Sequence, residues 1–121
     1  METTQAKAVS AFSTLARLSQ KPMPSFAAYK LFRLKKALAP VVEFQSEQEV
    51  KIVEELGGTV SETGAITIDD KGRQEYIKRH KELEEMTCDI DTEKISMFMK
   101  ELPELTMADL ESLDAFIDWK E

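Results

Sequence analysis

Apolar residues fall at steps of three and four from Ala27 through Leu31, Leu34, Leu38, Val41 and Val42, the spacing that lines one face of an α-helix. The residues between them are polar: Lys30, Arg33, Lys35 and Lys36, then Glu43, Glu47, Glu49, Lys51, Glu54 and Glu55, so the opposite face is solvated. Val50, Ile52, Val53 and Leu56 resume the apolar stripe. The pattern predicts one long helix from Pro24 to Leu56, and the rest of the chain is organised around it. Pro40 interrupts it. Proline has no N–H and its ring meets the carbonyl four residues back, here that of Lys36, which costs about 3 kcal/mol unless the helix bends. A kink between Lys36 and Pro40 is expected, the alternative being two helices meeting at a corner. Gly57 closes the helix, because the left-handed cap conformation is unstrained only for glycine.

Upstream, Ala8, Ala11, Phe12, Leu15 and Leu18 make a second helical stripe, with Thr3 or Thr4 as its cap and an end before Pro22. The connection Pro22-Met23-Pro24-Ser25 is short and stiff, so the first two helices form an antiparallel hairpin. After Gly57-Gly58 the period changes to alternation, through Thr59-Val60-Ser61 and Ala65-Ile66-Thr67-Ile68 with Gly64 at the turn, which predicts a β-hairpin. Two strands are marginal in water, so Val60, Ile66 and Ile68 need helices beneath them or a third strand, for which Thr87-Cys88-Asp89-Ile90-Asp91 is the candidate. Asp69 or Asp70 caps a helix from about Lys71 to Met86, with Tyr76, Ile77, His80, Leu83 and Met86 facing inward.

From Ile95 to Leu102 two periods compete. Ile95, Phe98, Met99 and Leu102 fit a helix, while Ile95, Met97 and Met99 fit a strand; the reading preferred is a short helical turn before Pro103. Thr106 with Asp109 three residues on resembles a capping box, and Leu105 can staple to Leu110. The final helix is expected to turn Leu110, Leu113, Phe116 and Ile117 inward and to close at Trp119.

These elements give an α+β, mostly α fold in a single domain over 1–121. It consists of a helical hairpin with a long Pro-kinked helix, a small β-hairpin that a third strand can extend, and two further helices. A chain of 121 residues suffices for one modest core. With 42% hydrophobic and 32% charged residues it falls among folded, water-soluble chains rather than disordered ones. No apolar run is long enough for a membrane span, and Met1–Gln5 lacks the basic and apolar regions of a signal peptide, so a cytoplasmic location is expected. Cys88 stands alone and cannot form an intramolecular disulfide.

Charge adds an asymmetry. Residues 1–40 carry seven basic side chains against Glu2 alone, a net +6, whereas residues 41–121 carry nine basic against twenty-two acidic, a net −13. The two halves attract each other within the fold or between copies. The sharper reading, that Lys30, Arg33 and Lys36 hold nucleic acid, sits badly with a total of −7, so tight duplex DNA binding is not expected.

Motif chemistry is sparse. His80 is the single histidine and lies on the apolar side of its helix, which suits packing better than general-base work. Cys88 has no second histidine, basic cluster or glycine frame to activate it. Asp89-Ile90-Asp91-Thr92-Glu93 begins like a calcium loop but has Lys94 where that loop needs glycine and Lys100 where it needs glutamate. The four glycines match neither nucleotide-binding fingerprint, and no cofactor or metal is expected. Two surface features remain. Glu111, Asp114, Asp118 and Glu121 step along the last predicted helix as an acidic stripe, either a solvated face or an imitation of a phosphate row. Met97-Phe98-Met99 concentrates soft apolar side chains suited either to core filling or to an adaptable contact.

The order of segments is itself informative. Leu15-Ala16-Arg17-Leu18-Ser19-Gln20-Lys21-Pro22-Met23-Pro24, then Ala28-Tyr29-Lys30-Leu31 and Leu38-Ala39-Pro40, a long charged helix, a hairpin, and the closing Leu105-Thr106-Met107-Ala108-Asp109-Leu110-Glu111-Ser112-Leu113 resemble a family of small proteins of unknown function encoded by tailed phages and prophages of Gram-positive bacteria. The likeness runs through most of the chain, rests on leucine, proline and capping patterns, and departs from the family pattern at Ile95–Leu102. It implies a phage origin, a bacterial host cytoplasm and no catalytic residue to carry over. The function expected is non-enzymatic contact with a phage or host protein, as a single chain or a homo-oligomer. The alternative is an acidic inhibitor of a host nucleic-acid-binding or defence enzyme.

Overall fold

The computed structural model describes residues 1–120. Its α+β, mostly α architecture is built on two helices, α1 (Gln5–Leu18) and α2 (Ser25–Glu55), which pack together as a hairpin. Thr4 caps α1 by accepting from the Lys7 amide at 3.3 Å, and Pro24 precedes the first residue of α2 rather than entering its first turn. Pro40 lies inside α2, with helical backbone on both sides, so the corner alternative is excluded. Gly57 takes φ +80° at the end of α2, and the Gly58 amide donates back to the Val53 carbonyl at 2.9 Å, closing the helix as the sequence anticipated.

The core face of α2 is Ala27, Leu31, Leu34, Leu38 and Val41, continuing through Gln45 to Val53. Ala8, Ala11, Leu15 and Leu18 of α1 meet it, and Ile90, Met97, Leu113, Phe116 and Ile117 close the other side. Helix α3 (Asp70–Glu85) is capped by Asp69, whose carboxylate accepts from the Gly72 amide at 2.6 Å. Its inward face is narrower than expected. Leu83 is buried, but Ile77 is 62% exposed and Met86 46% exposed, because α3 touches the hairpin helices along one edge only.

Three two-stranded sheets surround the helices, and here the structure corrects the sequence reading. The hairpin of β2 (Thr59–Val60) and β3 (Ile66–Thr67) forms as expected, with Gly64 at φ +85°. The candidate third strand, β4 (Thr87–Asp89), does not join it; it pairs antiparallel with β1 (Glu2–Thr4), a strand the sequence did not announce. The Ile95–Leu102 ambiguity resolves into both readings in succession, β5 (Ile95–Phe98) followed by a 3-10 turn at Met99–Glu101. The last helix, α4 (Met107–Leu113), starts with the expected Thr106–Asp109 capping box but stops six residues short of Trp119. Beyond it β6 (Ile117–Lys120) runs parallel to β5, with Ile95 opposite Ile117 and Met97 opposite Trp119. Ile117 is buried and Trp119 half-buried against the core while Asp118 and Lys120 are exposed, a strand's two-residue period in place of the expected helix.

Candidate interaction surface

The side of α2 opposite its core stripe carries an unexpected load. Phe26, Tyr29 and Phe32 are 51%, 60% and 57% exposed. Buried aromatics contribute most of a core's apolar area, so three left in water on consecutive turns of one helix form a patch rather than scattered surface residues. Basic groups lie among them. The Lys30 ammonium is 5.4 Å from the Phe26 ring centre and donates to the Ser96 carbonyl at 2.9 Å, tying α2 to β5. The Arg33 guanidinium is 6.0 Å from the Tyr29 ring, and Lys36 is exposed one turn on. The structure therefore brings Lys30, Arg33 and Lys36 together on one helix, with an aromatic component that the sequence reading passed over. The signal was present: on a helical wheel position 29 falls opposite Ala27, Leu31 and Leu34, with 26 and 32 flanking it on either side.

The other two surface candidates do not hold together. Only Glu111 belongs to α4; Asp114 caps its end and Asp118 is on β6, where it pairs with Lys120 at 3.0 Å. Glu121 lies outside the described residues. The acidic stripe is therefore not one helix face. Met97 is 1% exposed within the core, while Phe98 and Met99 are 38% and 48% exposed, so the methionine cluster divides between core and surface.

The groups that chemistry would recruit are otherwise engaged. His80 Nε2 lies 2.6 Å from a Glu49 carboxylate oxygen, clasping α3 to α2, and Nδ1 lies 2.9 Å from Glu84 one turn on within α3, with the ring stacked on Tyr76 at 5.4 Å, so both nitrogens are occupied. Burial, with Asp89 and Glu2 nearby, pushes the Cys88 thiol up from its ordinary value, away from the thiolate a nucleophile needs. Among the described residues no three His, Cys, Asp or Glu side chains are grouped to hold a metal ion. The cleft between α1 and α2, lined by Leu15, Met23, Leu31 and Phe32 with Lys21 and Lys35, holds about 170 Å³, below the several hundred that small-molecule sites occupy. No helix among the described residues is long and apolar enough to cross a membrane.

Asp109 is the most heavily coordinated charge. It is 3% exposed, receives the Thr106 amide at 3.0 Å, donates its own amide to Thr106 Oγ1 at 3.1 Å, and pairs with Arg17 of α1. The backbone hydrogen bond from Thr106, and next the Arg17 guanidinium, hold its carboxyl below the ordinary value against the opposing effect of burial. Asp109→Ala is expected to lower stability by about 2 to 4 kcal/mol in a denaturant melt, as a lost cap plus lost charge-assisted hydrogen bonds. Arg17→Ala is expected to cost about 1 to 3 kcal/mol, because it leaves the buried Asp109 carboxylate without its countercharge while the Thr106 amide still donates to it. Since the folded carboxyl is the stronger acid, Asp109's contribution is complete above the unfolded value near 4 and drains away as pH falls through the folded one. Melts between about pH 6 and pH 2.5 check this, with the acid-side slope shallower in Asp109→Ala.

No family model, no curated protein and no solved structure matches the chain.

Proposed function

We propose that the chain is a non-catalytic phage or prophage protein that acts in the host cytoplasm by protein–protein contact through the outward face of α2. The observation that carries this reading is the exposed row Phe26, Tyr29 and Phe32 interleaved with Lys30, Arg33 and Lys36. Aromatic and arginine side chains are the residues that anchor protein interfaces. The phage origin is supported by the likeness of the Leu15–Pro24 and Leu105–Leu113 segments.

A photo-activatable phenylalanine analogue at position 29, in cells making the protein, tests the contact. Cross-links to a discrete protein that vanish when Phe26→Ser and Phe32→Ser are added support it; equal cross-linking from a control analogue at Ile77 on α3 sinks it. Recovery of virion or assembly proteins marks a structural helper, and recovery of a host nuclease marks the inhibitor class.

Duplex DNA is expected to bind no better than micromolar at about 150 mM salt. The basic row supplies only a few phosphate contacts, each weakened steeply by salt, on a chain of net −7. An anisotropy titration decides it: saturable nanomolar binding abolished by Arg33→Glu with Lys36→Glu would replace this reading with a nucleic-acid-binding one.

A further inference from the structure

One row of exposed positions on α2 away from its core runs through 26, 29, 33, 36, 40, 44, 47, 51 and 54, with the exposed Phe32, Glu43 and Val50 flanking it. The steps are three, four, three, four, then four, three, four, three: the series is the same read from either end, with Pro40 at its centre. The chemistry reverses across that centre. Phe26, Tyr29, Arg33 and Lys36 precede Pro40, and Phe44, Glu47, Lys51 and Glu54 follow it. None of Arg33, Lys36, Glu47, Lys51 or Glu54 has an ion-pair partner among the described residues.

Resting on the reading of this face as an interaction face, we propose that its occupant is a second copy of the chain, docked with the two α2 helices antiparallel about a two-fold axis at Pro40. A two-fold interface requires a self-complementary surface, in which residue i meets j and j meets i. With the axis at Pro40, positions summing to 80 fall opposite each other, and the side chains of three of the four facing pairs are complementary. Arg33 then faces Glu47 of the second copy, opposite charges seven residues from the axis on either side. Tyr29 faces Lys51, and Lys36 faces Phe44, each a cation over an aromatic ring. Each pairing occurs twice. Long helices curve convex toward solvent, so two such faces approach closest at their midpoints. Arg33 and Glu47, about 10 Å from the axis at 1.5 Å per residue, therefore lie in the close zone. A parallel arrangement would set Arg33 against Arg33 and Glu47 against Glu47.

Sedimentation equilibrium on the full chain tests the pairing, with circular dichroism confirming that the variants, all at exposed positions, stay folded. A dimer is expected, with Arg33→Glu alone and Glu47→Arg alone each raising the dissociation constant at least tenfold. Arg33→Glu with Glu47→Arg in one chain restores association. Mixing the two single variants also restores it, because each then meets an opposite charge at both contacts. A monomer at several hundred micromolar overturns the proposal, as does a dimer indifferent to both reversals, which would be held by another face. If the chain is monomeric yet position 29 still cross-links specifically to a different protein, self-pairing fails while the interaction face stands. If neither is seen, both readings fail.

Discussion

Phe116→Ala is expected to lower the unfolding free energy by about 3 to 5 kcal/mol, the range for truncating a fully enclosed phenylalanine. Phe116 is 0% exposed and heads the fully buried side chains by size. Its position makes the cost hard to relieve. The Phe116 amide donates to the Leu113 carbonyl at 2.9 Å as α4 ends, and its own carbonyl accepts from the Ile95 amide at 3.0 Å as the parallel sheet begins. A side chain anchored on both sides at the helix-to-strand junction cannot slide to fill the void it leaves. Trp119, the single tryptophan, sits three residues on and reports the loss. Urea melts followed by its emission and by far-ultraviolet circular dichroism are expected to shift together. A change below about 1 kcal/mol would mean that β6 is not part of the cooperative core.

That junction is also where the sequence was hardest to read. Leu110, Leu113, Phe116 and Ile117 are spaced at three, three and one, compatible with a helix, and the capping box at Thr106 and Asp109 correctly announced a start. Nothing comparable announces the stop, since no glycine or proline follows Leu113. The alternation of Ile117 and Trp119 with Asp118 and Lys120 spans four residues, too few to outweigh a helical pattern already under way. The partner that decides the matter, β5, lies 22 residues back in register and is itself ambiguous in sequence. Parallel pairing is a long-range event that local periodicity does not encode. The same holds for β1 with β4, whose partners are more than eighty residues apart.

What was legible had strong local signals. The length of α2, the passage of the helix through Pro40, the Gly57 cap, the hairpin turn at Gly64 and the Asp69 cap each follow from one residue's conformational limits or from a stripe sustained over many turns. The candidate site was half legible. Lys30, Arg33 and Lys36 were found by charge, but charge alone does not distinguish a solvated face from a contact face. The distinction comes from Phe26, Tyr29 and Phe32, whose exposure depends on α1 and β5 covering other sides of the helix. An aromatic residue in sequence reads as core until the fold leaves it outside.

The two faces of α2 make that distinction measurable within one element. Leu34→Ala and Leu38→Ala are each expected to destabilise the fold by about 2 to 5 kcal/mol, since both side chains are 0% exposed and each removal leaves a cavity between α1 and α2 that packing closes only in part. Tyr29→Ala on the same helix trades a similar or larger side chain for the same methyl group, and alanine is the better helix former. Because 60% of Tyr29 is already in water, its loss is expected to cost under about 1 kcal/mol in the isolated monomer. The contrast controls for helix propensity, which favours alanine at position 29 and is nearly even at 34 and 38. Melts run at low protein concentration and again at high concentration then separate folding from association. The leucine variants lose stability at both concentrations, whereas Tyr29→Ala falls behind the parent chain only where the second copy adds to the parent's stability. Two leucine variants shifted by less than about 1 kcal/mol would mean that the buried face of the organising helix has been misassigned.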